Sequence, residues 1–207
     1  MSVKVKICGV TRVADALVAA EAGADLIGLM FYERSPRCVA LSQAAEISRA
    51  LPPHVLRVGV FVNPEPDEVF QAMQRCGLTM LQFHGHEPPE FCVQFGLMTM
   101  KAFRVRDAAS LDALPSYPTD AWLLDAWSPA ALGGTGERFN WELALAAKSH
   151  GRPIFLAGGL TPENVAAAVR QVQPFGVDVS SGVESAPGLK DTAKVRAFIT
   201  AVKGAAA

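Results

Sequence analysis

Short apolar runs alternate with stretches where apolar positions recur every three or four residues, over almost the whole chain. The short runs fall at 4–7, 26–31, 57–62, 80–83, 100–103, 122–124, 154–156 and 177–179. Most are rich in Val, Ile, Leu and Phe and show little alternation, as strands buried on both faces do. Helix-period segments lie between and after them at 13–22, 42–50, 66–76, 89–95, 140–149, 161–172 and 191–203. A weaker helical pattern covers 107–114. Cap signals agree with these bounds. Thr161-Pro162 offers a hydroxyl N-cap followed by proline, Asn140 and Asp191 offer side-chain caps, and Ala22-Gly23 and Cys76-Gly77 place glycine just past a helix end.

About eight strand–helix units in succession predict an α/β fold, a single-domain (β/α)8 TIM barrel spanning residues 1–207. The rival architecture is an open doubly wound sheet. It lacks its usual mark, because Cys8-Gly9-Val10-Thr11 stands where a G-x-G-x-x-G would follow the first strand. In a barrel the active site is built at the C-terminal strand ends, so unusual residues there carry the functional information.

Composition narrows the classes. The chain has 207 residues, 50% hydrophobic and 19% charged, with a formal net charge of -1. That balance provides no electrostatic footprint for nucleic acid or an anionic membrane. No apolar stretch approaches the ~20 residues of a membrane-spanning helix, and no signal peptide is visible. The four cysteines, Cys8, Cys38, Cys76 and Cys92, are too scattered for a zinc site or a disulfide framework, which fits a reducing cytoplasm.

Cys8 closes the first apolar run, just before a glycine turn. It reads either as a small buried hydrophobe or as a reactive thiol. Arg34 and Arg37 share the loop after the second run and could bind an anion or be solvated. His84 and His86 follow the fourth; with no third ligand evident, His84 reads as pocket lining rather than a metal ligand. Asp125 directly follows two leucines; it reads either as a cap for the next loop or as a general acid, since partial burial disfavours a charged carboxylate. Gly133-Gly134-Thr135-Gly136 could fold over a ligand or be a plain turn. Ala157-Gly158-Gly159-Leu160 and Asp178-Val179-Ser180-Ser181-Gly182 follow the last two strands. Glycines admit close approach of the backbone to a phosphate, and these are the usual phosphate loops of a barrel. No Walker motif is present, which argues against a nucleoside triphosphate.

Taken in order, Lys6-Ile7-Cys8-Gly9-Val10-Thr11, Ser35-Pro36-Arg37, Gln82-Phe83-His84-Gly85, Leu124-Asp125, Gly133-Gly134-Thr135-Gly136, Ala157-Gly158-Gly159-Leu160, Asp178-Val179-Ser180-Ser181-Gly182-Val183-Glu184 and Pro187-Gly188-Leu189-Lys190-Asp191 resemble the phosphoribosylanthranilate isomerases of tryptophan biosynthesis. The resemblance covers nearly the whole chain. It implies an Amadori rearrangement of N-(5-phosphoribosyl)anthranilate to 1-(2-carboxyphenylamino)-1-deoxyribulose 5-phosphate. Cys8 would be the general base, with a lowered pKa helped by helix N-termini or backbone N–H groups at the barrel mouth. Asp125 would be the general acid. Arg37 would pair with the anthranilate carboxylate, leaving Arg34 solvated. His84, Gly134, Gly158, Gly159, Asp178, Ser180, Ser181 and Gly182 would contact substrate. The same resemblance implies no cofactor, no metal and a phosphosugar substrate, with the protein a monomer or homodimer. Asn140-Trp141 departs from the family's usual Asp-Trp, a neutral change for a helix cap. Two rivals stand beside this reading: another phosphosugar aminoaldose–ketose isomerase, and a non-catalytic barrel that binds a phosphate ligand. The former would favour aspartates at strands one and six, and the latter would tolerate Ser at position 8 and Asn at position 125.

Overall fold

The computed structural model describes residues 2–126 and 141–205. Eight parallel strands close into a barrel in chain order: β1 (Lys4–Cys8), β2 (Leu26–Met30), β3 (Leu56–Phe61), β4 (Met80–Phe83), β5 (Met98–Val105), β6 (Ala121–Ala126), β7 (Ile154–Ala157) and β8 (Gly176–Val179). The helices are α1 (Val13–Ala22), α2 (Leu41–Ala50), α3 (Pro66–Cys76), α4 (Pro89–Val93), α5 (Trp141–Lys148), α6 (Val165–Val172) and α7 (Thr192–Ala205). A two-stranded hairpin, β9 (Glu184–Ala186) with β10 (Leu189–Lys190), precedes α7.

Strand pleating sorts each strand into two files. Val5, Ile7, Ile27, Leu29, Leu81, Phe83, Leu124, Leu156 and Val177 pack outward beneath the helices. Leu26, Val58, Val60, Met80, Met100, Leu123 and Phe155 fill the barrel interior together with Cys8. Both faces are buried, so the strands read as continuous apolar runs. β1 alternates along Lys4-Val5-Lys6-Ile7, with Lys6 on its inward file.

Local signals explain most helix ends. Pro66 opens α3, Glu65 and Glu68 form a reciprocal capping box, and Gly77 closes the helix in the left-handed region at φ 59°. Gly23 ends α1 in the same way at φ 103°. The Asp191 carboxylate accepts from the Lys194 N–H at the start of α7 (3.0 Å).

Two expectations are corrected. No α-helix covers 107–114; two 3-10 turns, Ala108–Leu111 and Leu114–Ser116, take its place. Asp107 and Ser110 satisfy each other's backbone there, offering the chain a local alternative to the helix. Thr161 does not cap α6, which begins at Val165. Thr161 instead opens a preceding turn: its N–H donates to the Asn164 side chain (2.8 Å), and its hydroxyl accepts from the Glu163 N–H (3.3 Å).

Candidate active site

The inward files of β1 and β8 put three chemically active groups together. Lys6 lies opposite Asp178 in the strand register, and its Nζ donates to Asp178 Oδ1 at 2.7 Å. The Lys6 side chain is wholly buried inside the barrel. Cys8 stands two residues further along the same file, at the mouth, and is 6% exposed. Gly28 is its register partner on β2. A Cβ added at Gly28 would lie 2.8 Å from Cys8 Sγ and 3.1 Å from Lys6 Nζ, closer than packed atoms tolerate. Gly28→Ala should therefore displace the thiol and lower kcat by about tenfold, with the fold retained by circular dichroism. Steady-state kinetics on this variant check the expectation.

Burial pushes the Cys8 thiol above its ordinary range. The nearby Lys6 ammonium pulls it back, Asp178 pushes it up again, and Lys190 gives a smaller downward pull. The net direction is upward, which corrects the expectation of a lowered value in the ligand-free protein. The groups that favour the thiolate are also different from those expected: they are two ammonium groups rather than helix N-termini. Burial by itself lowers the Lys6 pKa, but Asp178 and Cys8 outweigh it and hold Lys6 above its usual value.

A second charge cluster adjoins the first. Arg37 Nε and Nη2 form a forked pair with Glu184 (2.8 and 2.6 Å). Lys190 Nζ donates to the same carboxylate (2.8 Å) and to the Ser180 carbonyl (3.1 Å). Burial would raise the Glu184 pKa, yet hydrogen bonds from Arg37 and Lys190 hold it below the usual carboxylate range. The Arg37 fork is thus committed to an internal carboxylate. Among the described residues, only its Nη1 side is without an acceptor. Arg34, by contrast, is exposed. Across the two clusters three cations face two carboxylates, a field that suits an anionic ligand.

The loops after β7 and β8 lie beside these clusters. Gly158 and Gly159 take φ values of 84° and 65°, which side chains rarely adopt. Asn164 Nδ2 donates to the Gly159 carbonyl (2.8 Å) and fixes that peptide. Ser180 leads into a 3-10 turn, Ser181–Val183. Gly182 packs on the Leu160 carbonyl, where a Cβ would collide with the oxygen. Among the described residues, the backbone N–H groups of Gly158, Gly159, Ser181 and Gly182 donate to no acceptor. They lie on two loops that pack together after β7 and β8, and unpaired backbone donors of this kind can take an anion.

Asp125 projects inward from the end of β6, in the file of Ala121 and Leu123. Its carboxylate is 3.3 Å from His84 Nε2, and the two side chains are 30% and 21% exposed. His84 Nδ1 lies 3.1 Å from Gln82 Nε2. Below this turn Lys101 is buried against Glu87 (3.1 Å) and also donates to the Gly85 carbonyl (2.7 Å). Glu87 in turn accepts from the N–H groups of Asn63 and Gly85, which ties the turn after His84 to the end of β3. A cleft of about 490 Å³ opens beside His84, lined among others by Tyr32, Asn63, His86, Arg104 and Tyr117.

The structure thus brings Cys8 and Asp178 together around Lys6. It places Arg37 beside Glu184, Lys190 beside Ser180, and His84 beside Asp125. Asp178 faces Lys6, whereas the loop donors come from Gly158, Gly159, Ser181 and Gly182. Gly134 lies outside the described residues, as do Asn140 and the rest of 127–140. Lys6, Gly28, Gln82, Glu184 and Lys190 were not singled out from sequence. The Val-Lys-Val-Lys-Ile-Cys alternation of β1 was the available signal for Lys6, since it puts Lys6 and Cys8 on one face.

A sequence model of the family described as N-(5'-phosphoribosyl)anthranilate (PRA) isomerase matches residues 5–201. The chain belongs to the PRA isomerase family. The chain is 56% identical over 200 residues to the N-(5'-phosphoribosyl)anthranilate isomerase of Geotalea daltonii, a span that covers 97% of this chain and 96% of that one. It is also 56% identical over 202 residues to that of Geobacter sulfurreducens, covering 98% and 99%. The crystal structure of phosphoribosyl anthranilate isomerase from Thermotoga maritima superposes with a TM-score of 0.92 at 43% identity, covering 98% of this chain and 99% of that one. Another PRA isomerase structure, at 40% identity and a TM-score of 0.89 over 98% and 99% of the chains, is a complex with reduced 1-(o-carboxyphenylamino)-1-deoxyribulose 5-phosphate. In the present protein no described helix is long and apolar enough to cross a membrane.

Proposed function

We propose that this protein isomerises N-(5-phosphoribosyl)anthranilate to 1-(2-carboxyphenylamino)-1-deoxyribulose 5-phosphate, with Asp125 as general acid and Cys8 as general base. The observation that carries this reading is the arrangement around one barrel mouth. An inward thiol beside two ammonium groups and an inward carboxyl beside His84 share it with unpaired backbone N–H groups of the loops after β7 and β8.

Asp125 gives its proton to the furanose ring oxygen as the C1–O bond breaks, and the amine nitrogen supplies the electrons that form the C1=N bond. Cys8, as thiolate, removes the C2 proton. The C–H electrons become the C1=C2 bond of an enolamine and neutralise the nitrogen. Loss of the C2 hydroxyl proton and protonation at C1 then give the ketone. The iminium ion is the electron sink, so the residues described suffice for the step. The raised Cys8 pKa belongs to the ligand-free site. Ring opening creates a further cation beside the thiol at the step that needs the thiolate.

The phosphate is held by the N–H groups of Gly158, Gly159, Ser181 and Gly182. The anthranilate carboxylate meets the free Nη1 side of Arg37, which Glu184 holds in place. Partial burial limits both Arg37 and Asp125 to a few approach directions.

Generating the substrate in situ and following anthranilate fluorescence tests the activity directly. Loss of signal on adding protein is expected, whereas a signal that stays constant while a product analogue still binds identifies a binding barrel. Arg37→Ala should weaken that analogue by about tenfold or more, the scale of one charged hydrogen bond. Unchanged affinity would remove Arg37 from the carboxylate contact.

A further inference from the structure

Met80 and Gln82 of β4 share one inward file, which His84, the first residue after the strand, continues. Gln82 is 1% exposed and lies among the interior apolar side chains. Its Nε2 is 3.1 Å from His84 Nδ1, and its Oε1 has no partner among the described residues. The other His84 nitrogen, Nε2, is 3.3 Å from Asp125 Oδ2. Gln82, His84 and Asp125 therefore form a single line from the barrel interior to the mouth.

The two orientations of the Gln82 amide lead to opposite proton placements on the His84 ring. With Nε2 toward His84, the amide donates, Nδ1 accepts, and the neutral ring carries its proton on Nε2, aimed at Asp125. One carbonyl oxygen and one of the two amide N–H groups are then left unpaired. With the amide reversed, two buried N–H donors lose every acceptor and the proton sits on Nδ1. Orphaned buried N–H groups are rarer than under-satisfied carbonyls, so the first arrangement wins.

We propose that Gln82 is a positioning residue that fixes His84 as its Nε2–H tautomer. His84 then donates to the Asp125 carboxylate that remains once the proton has passed to the ring oxygen. The proposal rests on Asp125 being the acid. Gln82, 1% exposed, acts through His84, as the outer partner of a metal-bound histidine acts through its ring. The same hydrogen bond also holds the ring plane against Asp125, so orientation and proton placement come from one contact.

The test uses the full-length protein labelled with 15N, with imidazole correlations recorded at pH about 8, where an ordinary imidazole is neutral. A protonated Nε2 and an unprotonated Nδ1 are expected for His84. Gln82→Met keeps the volume and removes the donor. It should mix the two tautomers and lower kcat by about tenfold, with KM changed less than ~2-fold. In an Asp125→Asn background the same substitution should add almost nothing, because its effect passes through Asp125. A wild-type His84 protonated on Nδ1 would overturn the proposal. So would wild-type kcat in Gln82→Met, or a full tenfold further loss in the Asp125→Asn background. Should Gln82→Met not fold, the wild-type tautomer decides alone. Full activity in Asp125→Asn itself would overturn the acid assignment, and the ring tautomer would still be read separately.

Discussion

Replacing Cys8 by serine is expected to lower kcat by at least ~10²-fold while leaving the circular dichroism spectrum and Tm close to those of the parent. The hydroxyl fills nearly the same space between Lys6 and Gly28, so packing is kept. The change is chemical: a serine hydroxyl holds its proton far more tightly than a thiol, and neither Lys6 nor Lys190 can make it a base near pH 7. Turnover like that of the parent would sink the role given to Cys8. The pKa direction adds an independent check. Burial makes the ligand-free thiol a weaker acid than a free cysteine. The rate of alkylation by iodoacetamide should thus rise with pH to a midpoint above the ordinary thiol range. Lys6→Met should move that midpoint further up, because it removes the cation that favours the thiolate.

Replacing Asp125 by asparagine is expected to cost at least ~10²-fold in kcat as well, for the opposite reason. The amide keeps the shape of the carboxyl and can still accept from His84, but it has no proton for the ring oxygen. Binding should change little, since the proposed phosphate contacts and Arg37 arise from other strands. KM near the parent value with kcat depressed is the pattern of a group needed in the transition state rather than in binding. A raised KM with unchanged kcat would instead make Asp125 a binding residue.

Much of this site was legible because barrels put chemistry at the ends of apolar runs. Cys8, Asp125 and Ser180 each interrupt such a run, and the paired glycines after β7 stand where no packing reason calls for them. The buried partners were harder to find. Lys6 belongs to an alternating segment, and alternation ordinarily means a solvated face; here the second face is the barrel interior, where Lys6 pairs with Asp178. Gly28 reads as one small residue in an apolar strand until the register sets it against Cys8. The Arg37–Glu184 pair joins residues 147 positions apart, a contact that no local pattern encodes. Glu184 and Lys190 fall within the motifs, yet their shared task needs the β9–β10 hairpin to be visible. The two element errors had local causes. The Asp107–Ser110 and Thr161–Asn164 side chains bond nearby backbone and so replace a helix with a turn.

The division of labour between Cys8 and Asp125 is tested most directly by a substrate deuterated at C2 of the ribose. In Cys8→Ser the removal of that hydrogen becomes the slow step, so kcat should show a several-fold isotope effect. In Asp125→Asn ring opening becomes slow, and no bond to the C2 hydrogen breaks there, so the effect should fall close to unity. The reverse pattern, a large effect in Asp125→Asn and none in Cys8→Ser, would contradict the assignment of base and acid.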